Sequence, residues 1–329
     1  MRTTHKIALL GAGRIGRIHA ANAFAHPRLT LSHVVDPDAK NAAAIAAETA
    51  AAVATLAEVL AADDVSGIIV ASSTDTHLDY CLKAQAAGKA IFCEKPIDMN
   101  LERARAAGAQ LASARLLIGF NRRFDPNFQV LKKRLADGSI GRLETLQITS
   151  NDPSPPPIAY VKASGGLFKD MAIHDFDMAR WLLGEEPTEV FAWGSCLVNA
   201  EIGEAGDIDT ARTLLKTASG KLCVIANSRR SGFGYDQRIE AYGSQGMARA
   251  ANVLESTVQI WSENGARDDR FMNFFLDRYQ DAYRAEMDHF AALLAGDASP
   301  LAGYDDAVAA LALAEAAGRS LKTGHPVRL

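Results

Sequence analysis

A lysine, a histidine and a set of aspartates in this chain could together move a proton and steady charge on an oxygen. Within Gly165 to Leu183, GGLFKDMAIHDFDMARWLL, Asp170, His174 and Asp177 recur at spacings of four and three. A continuous helix would line them up along one face. A carboxylate one turn before a histidine orients the imidazole and stabilises its protonated form, which equips it as a general base. Phe168, Met171, Phe176, Met178, Trp181 and Leu182 supply the apolar surface that would hold the helix on a core. Lys95, in Glu94-Lys95-Pro96, lies just past an apolar strand-like run. A lysine there can donate to a hydroxyl and stabilise the alkoxide that forms as hydride leaves, or it can simply pair with Glu94 at the surface. His174, Asp175 and Asp177 are metal-ligand types, but no second histidine lies nearby and hydride chemistry needs no metal, so none is expected.

A hydride must go somewhere, and the start of the chain offers an acceptor site. Lys6 to Leu10 reads as a buried strand, followed at once by Gly11-Ala12-Gly13-Arg14-Ile15-Gly16 and a helical pattern to about Ala25. Strand, tight glycine turn and helix are the setting in which GxGxxG binds a dinucleotide. Gly11 permits the turn, Gly13 lets a pyrophosphate approach and Gly16 lets helix and strand pack, with the helix N-terminus facing the phosphates. Arg14 and Ile15 fall in the same loop. The next apolar run ends in Asp36, 20 residues beyond Gly16. A carboxylate there accepts from the adenosine ribose and repels a 2′-phosphate, which favours NAD over NADP; the bland alternative is a solvated loop Asp in Asp36-Pro37-Asp38.

Alternation continues with a short helix from Thr55 to Ala62 opened by a capping box, a strand from Gly67 to Ala71 and a helix to about Ala87. Between the last two, Ser72, Ser73 and Thr74 bring hydroxyls to the ligand edge of the sheet, and His77 caps or packs near the cofactor. A strand from Ala90 to Cys93, a helix from Asn100 to Ala114 and a strand from Leu116 to Gly119 follow. The pattern specifies an α/β fold with a doubly wound parallel Rossmann sheet over 1–120.

From 121 to 329 the pattern changes. A helix-containing connector (Asn121 to Asp137) leads to a strand (Arg142 to Ser150) and the stiff loop Asp152 to Pro157. After the Asp170 helix come strand-like runs at Glu189–Leu197, Thr210–Lys216, Lys221–Asn227, Arg238–Tyr242 and Ser256–Trp261, with short turns that imply antiparallel pairing. Two helices close the chain, Phe274 to Leu294 and Asp305 to Leu321. A sheet covered on one face needs a partner on the other, so a homo-oligomer is expected.

The bulk numbers agree. At 329 residues the chain exceeds one ordinary core, and two domains are expected. A net charge of −4 with scattered Lys and Arg leaves no footprint for nucleic acid or anionic membrane. The N-terminus shows no signal-peptide pattern, and no alanine-rich run is long enough without charge to span a bilayer. Cys81, Cys93, Cys196 and Cys223 are far apart without CxxC spacing, as expected of buried thiols in the cytoplasm.

The glycine motif, Asp36, AGKAIFCEKPI (Ala87 to Ile97), GFNRRFD (Gly119 to Asp125) and GGLFKDMAIHDFDMARWLLG together resemble the Gfo/Idh/MocA oxidoreductases over nearly the whole chain. DMAIHDFDMARW is similar to the motif of the inositol dehydrogenases within that family, although relatives acting on other polyols and sugars share D-x-x-x-H. The resemblance implies a Rossmann domain followed by an α/β domain built on a large open antiparallel sheet, and a tetramer. It implies catalysis by Lys95, Asp170 and His174, with NAD as cofactor and a cyclic polyol, myo- or scyllo-inositol, as substrate. Same-family oxidation of a pyranose at C1 is the alternative. A non-catalytic NAD-binding regulator would have no need of Lys95, Asp170 and His174 together. The family places a tyrosine in the sugar pocket at Tyr235, and Tyr283 is a similar case; both could equally be core or interface aromatics. Asn151 and Asp152 fall where related enzymes contact polyol hydroxyls. Arg122 meets substrate or, with Arg123, pairs with Asp125. Asp177 is a candidate substrate contact.

Overall fold

The computed structural model describes residues 4–329. They form two compact units, the first comprising residues up to 124 with 281–309, the second 125–280 with 310–329.

In the first unit the chain runs β1 (His5–Leu10), α1 (Arg14–Ala25), β2 (Leu29–Val35), α2 (Ala39–Thr49), β3 (Ala52–Val53), α3 (Leu56–Ala61), β4 (Val65–Val70), α4 (His77–Ala86), β5 (Ala90–Glu94), α5 (Leu101–Ala106), α6 (Gly108–Leu111) and β6 (Leu116–Gly119). The six strands pair in parallel in the order β3-β2-β1-β4-β5-β6. Central strands read as unbroken apolar runs because helices cover both faces; Ile7 to Leu10, Gly67 to Val70 and Ala90 to Cys93 are all buried. Side-chain caps set the helix starts. Asp38 accepts from the Lys40 amide, Thr55 and Glu58 form the expected capping box, and Asn100 accepts from the Arg103 amide. The helix expected over Asn100 to Ala114 is two, α5 and α6, divided at Ala107 before Gly108.

The second unit continues with α7 (Pro126–Ala136), β7 (Leu143–Asn151), α8 (Ile158–Ala163), α9 (Gly166–Asp170), α10 (Ile173–Leu183), β8 (Pro187–Ser195), α11 (Ala200–Glu204), β9 (Thr210–Thr217), β10 (Leu222–Ser228), β11 (Asp236–Gly243) and β12 (Gly246–Ala250). β13 (Gln259–Ser262), β14 (Gly265–Asp268) and α12 (Phe275–Arg278) follow; after α13 (Gln280–Ala295) and α14 (Tyr304–Thr323) the chain adds β15 (Val327–Arg328) to this unit. Seven strands order as β12-β11-β7-β10-β9-β8-β15. This sheet corrects the purely antiparallel expectation: β10 runs parallel to β7, and the sheet is mixed. The stretch between them, α8 to β9, is long enough for the crossover that parallel neighbours require. The last strand-like run, Ser256 to Trp261, supplies only β13, which pairs with β14 in a separate two-stranded hairpin.

Burial alternates along these strands, as in Thr210–Thr217, where Ala211, Thr213, Leu215 and Thr217 are buried and Arg212, Leu214 and Lys216 exposed. The closing helix expected from Phe274 to Leu294 breaks at Tyr279 into α12 and α13. A single cut near 120 also misses a return of the chain: 281–309 belongs to the first unit. There Phe290 of α13 lies edge-on to Phe92 of β5 at 6.0 Å, and the Ile118 amide donates to the Ala302 carbonyl at 2.9 Å.

Candidate active site

The carboxyl ends of β1, β2, β4 and β5 lie side by side, and the first unit's candidate residues gather there. The Gly11 amide donates to Val35 and the Ala71 amide to Leu10, each at 2.8 Å, which pins the glycine turn between β2 and β4. Gly11 has φ of +100°, and a Cβ there would sit 2.5 Å from the Ala71 oxygen and the Ser72 backbone. At Gly16 a Cβ would sit 2.0 Å from the Gly11 carbonyl oxygen. No side chain fits at either position. Around Gly13 nothing lies within 4 Å of such a Cβ, and Gly13 is the N-cap of α1 without a side-chain cap. The turn therefore presents open backbone at a helix N-terminus, which fits the pyrophosphate of a dinucleotide. Arg14 is exposed and Ile15 half-buried in the first turn of α1.

Asp36 directly follows β2, with one carboxylate oxygen accepting from the Ala12 amide at 2.6 Å and the other from the Asp38 amide at 2.8 Å. Its carboxylate is thus fixed against the glycine turn, where a ribose would be read. Ser72 and Thr76 share a hydroxyl hydrogen bond of 2.6 Å, with Ser73 exposed and Thr74 half-buried between them. His77 is buried and its ring bridges two loops, with Nδ1 at 2.8 Å from the Pro96 carbonyl and Nε2 at 3.0 Å from the Ser72 carbonyl. It ties the serine loop to the loop carrying Lys95. Glu94, which could have paired with Lys95, is instead engaged by His19, Nε2 to Oε1 2.7 Å. Arg122 is buried in this unit, and Arg123 pairs with Asp306 at 2.8 Å rather than with Asp125. Tyr283 lies on α13, buried, with its ring edge-on to His19 at 5.9 Å.

In the second unit the helix expected across Asp170 and His174 is interrupted. Both the Met171 and Ala172 amides reach back to the Leu167 carbonyl, at 3.0 and 2.9 Å, and the second is an i to i−5 step. This widened turn ends α9 at Asp170 and lets α10 start at Ile173, so the two residues no longer share one uninterrupted helical face. Asp170 is held from outside the helix. Tyr160 donates its hydroxyl to Oδ1 at 2.9 Å, and both terminal nitrogens of Arg229 reach Oδ2 at 3.4 and 3.3 Å. Arg229 is almost fully buried and also lies 4.0 Å from Asp207. The Arg229 amide donates to the Asp209 carbonyl at 2.8 Å, which locks the strand end that presents the guanidinium. His174 is half-buried on α10. Asp175 and Asp177 are buried; Asp175 accepts from Asn227 at 2.8 Å and Asp177 lies 3.9 Å from Arg180. Asn151 donates to Asp236 at 3.1 Å, the Asp152 amide donates to Ser228 at 2.9 Å, and buried Tyr235 lies edge-on to Tyr279 at 5.9 Å.

The structure thus gathers the glycine turn, Asp36, Ser72, His77 and Glu94 at one sheet edge. It also gathers Asp170 with side chains the sequence reading passed over: Arg229, Tyr160 and Asp207. No spacing rule links Arg229 to Asp170. The available hint was a pair of arginines, Arg229 and Arg230, directly after a strand.

Residues 5–121 match the oxidoreductase family with an NAD-binding Rossmann fold, and residues 128–249 match the GFO/IDH/MocA C-terminal domain. The chain belongs to this family. Among its relatives, the inositol 2-dehydrogenase of Rhizobium meliloti (strain 1021) is 46% identical over 320 residues, covering 97% of both chains. The structure of a myo-inositol dehydrogenase from Corynebacterium glutamicum ATCC 13032 superposes with a TM-score of 0.95 at 42% identity, covering 99% of each chain. The scyllo-inositol dehydrogenase of Lactobacillus casei, solved with NAD(H) and scyllo-inositol, superposes with a TM-score of 0.90 at 27% identity, covering 99% of each. Among the described residues no helix is long and apolar enough to cross a membrane.

Proposed function

We propose that this Gfo/Idh/MocA oxidoreductase oxidises one secondary hydroxyl of an inositol, myo or scyllo, to the inosose. The observation that carries the reading is similarity to an inositol 2-dehydrogenase along nearly the full length of both chains. The glycine turn and Asp36 would hold NAD, with Arg14, Ile15, Ser72, Ser73, Thr74, His77, Glu94 and Lys95 around it. When bound, NAD+ supplies the hydride acceptor. His174 takes the hydroxyl proton, and Lys95 steadies the negative charge on oxygen as the carbonyl forms. Asp170, held by Arg229 and Tyr160, is the carboxylate that orients His174. Arg122, Asn151, Asp152, Asp177, Tyr235 and Tyr283 are the further substrate candidates. Of these, Asn151 and Asp152 near the end of β7 are half-buried and Arg122, Asp177, Tyr235 and Tyr283 are buried.

The test is a panel of inositol isomers and aldoses assayed with NAD+ by NADH absorbance. Turnover of myo- or scyllo-inositol is expected, and turnover of aldoses alone would replace this reading with oxidation at C1 of a pyranose. Asp36→Ala should shift the cofactor preference toward NADP+ by about tenfold, on the order of one hydrogen bond to a charged acceptor. A wild-type preference for NADP+ would contradict the role given to Asp36.

The chain is also read as a cytoplasmic homo-oligomer, a tetramer. The support is the outward face of the seven-stranded sheet, where Trp193 (63% exposed), Leu214, Leu222, Val224 and Tyr242 stand in solvent. A stable monomer at micromolar concentration in analytical ultracentrifugation would rule the assembly out.

A further inference from the structure

Helix α13 carries a carboxyl group that nothing holds in its ionised form. Glu286 is 0% exposed, and neither of its carboxyl oxygens has a hydrogen-bond partner among the described residues. Burial pushes its pKa well above the ordinary carboxylate range, and the charge of Glu94 pushes it the same way. An ionised carboxylate buried without a donor is among the costliest arrangements in a protein, so the group keeps its proton instead.

The surroundings of Glu286 lead to the chemistry through one neighbour. Tyr283, one turn earlier on α13, sits edge-on to His19 of α1, and His19 Nε2–H donates to Glu94 Oε1 at 2.7 Å. The Glu94 head also lies across Gly119, where a Cβ would come within 3.2 Å of the carboxyl carbon and Oε1. Glu94 is thus fixed between α1 and the end of β6, and it is the residue directly before Lys95. The rest of the buried face of α13 is apolar, with Phe290 on Phe92 and Leu294 near Gly67. Its charged outer residues look elsewhere, Asp288 toward His26 and Arg284 toward Asp281. The charge of Glu94 acts on Glu286, and Tyr283 and Phe290, one turn to either side of it on α13, lie edge-on to His19 and Phe92.

We propose that Glu286 is a positioning residue for Lys95: a neutral buried acid that sets no second negative charge against Glu94, which His19 grips directly before the lysine. Ionising Glu286 would set a second negative charge against Glu94 and drive that side chain, with the attached Lys95 loop, from its place. The proposal rests on the dehydrogenase reading only for what Lys95 does, not for the state of Glu286.

The experiment compares wild type with Glu286→Gln and Glu286→Met in the full chain, the latter also uncharged should the amide variant fold poorly. Infrared spectra near neutral pH should show the C=O stretch of a protonated carboxylic acid that both variants lack; no lost band would overturn the proposal whatever the enzyme's substrate. NADH binding, followed by fluorescence, should weaken at alkaline pH in wild type and keep its affinity to higher pH in both variants. With an inositol substrate, kcat should stay near the wild-type value at neutral pH in both variants while its alkaline limb moves up. A lost band with superimposable pH profiles of binding and kcat would mean that Glu286 is neutral but positions nothing, and the proposal would fall. Absence of inositol turnover in wild type would count against the substrate, while infrared and NADH binding would still decide the role of Glu286.

Discussion

The glycine turn of the first unit and the Asp170 region of the second are built by opposite means. In the turn, geometry is a matter of missing atoms. Gly11 and Gly16 leave no room for a Cβ, Gly13 leaves its surroundings open, and the N-terminus of α1 carries no side-chain cap. Around Asp170, geometry is a matter of added charge. A buried arginine and an exposed tyrosine hold one carboxylate at the end of a short helix, and a widened turn separates it from His174. A site of the first kind fails when anything is added; a site of the second kind fails when anything is removed. The first should therefore break in folding and cofactor binding, the second in turnover.

The largest effects test the proposed mechanism, which takes one group from each region. His174→Ala and Lys95→Ala should each lower kcat by roughly 100- to 10,000-fold. Near wild-type turnover in both variants would remove them from the reaction. Next in size, Gly16→Ala should cost on the order of 3 kcal/mol or more, because its methyl would meet the Gly11 carbonyl at 2.0 Å and neither backbone can yield cheaply. The loss should appear in thermal stability and NADH binding together. An alanine variant that binds NADH normally would show that the turn is not built on exclusion.

Arg229→Met should cost about 3 kcal/mol by leaving two carboxylates, Asp170 and Asp207, without their buried cation. Its signature is the reverse of that at Gly16: NADH binding survives while kcat drops. Arg229→Lys should recover part of kcat, since it keeps the charge and loses the fork. Equal loss of NADH binding in Arg229→Met would erase the distinction between the regions.

The same distinction explains what could be read from the sequence. The glycine turn was legible because its constraint is local: three glycines and an acidic residue at a fixed distance along one strand-turn-helix. The parallel sheet was legible because burial on both faces writes unbroken apolar runs such as Ile7 to Leu10. The Asp170 region was legible only as far as its residue types. Its partners arrive from Tyr160, ten residues before it, and Arg229, 59 residues after it, and no periodicity connects side chains that meet through folding. The break at Met171 and Ala172 was hidden because both residues are good helix formers; a single amide reaching one carbonyl too far causes it. The mixed character of the second sheet was hidden for a related reason. Short turns between successive strands predict hairpins, but β7 takes its place beside β10 through a crossover, which only the completed sheet determines.

The smallest effect concerns the turn that carries Arg229. Asp209 is buried, and burial alone would raise its pKa. The amides of Leu197, Val198 and Asn199 and the Thr210 hydroxyl all donate to its carboxylate and outweigh that penalty, leaving its pKa at about 2. Because the folded value lies below the unfolded one, this stabilisation is complete above the ordinary carboxylate range and disappears as pH falls through the folded value. Asp209→Asn should therefore cost about 2 kcal/mol at neutral pH, read from urea midpoints, and the gap from wild type should close toward pH 2. The Asp209 backbone also receives the Arg229 amide, so the variant should loosen the guanidinium at neutral pH and lower kcat more than it weakens NADH binding. A stability gap that stayed constant from neutral to acid pH would show that the turn is held by the shape of residue 209 and not by its charge.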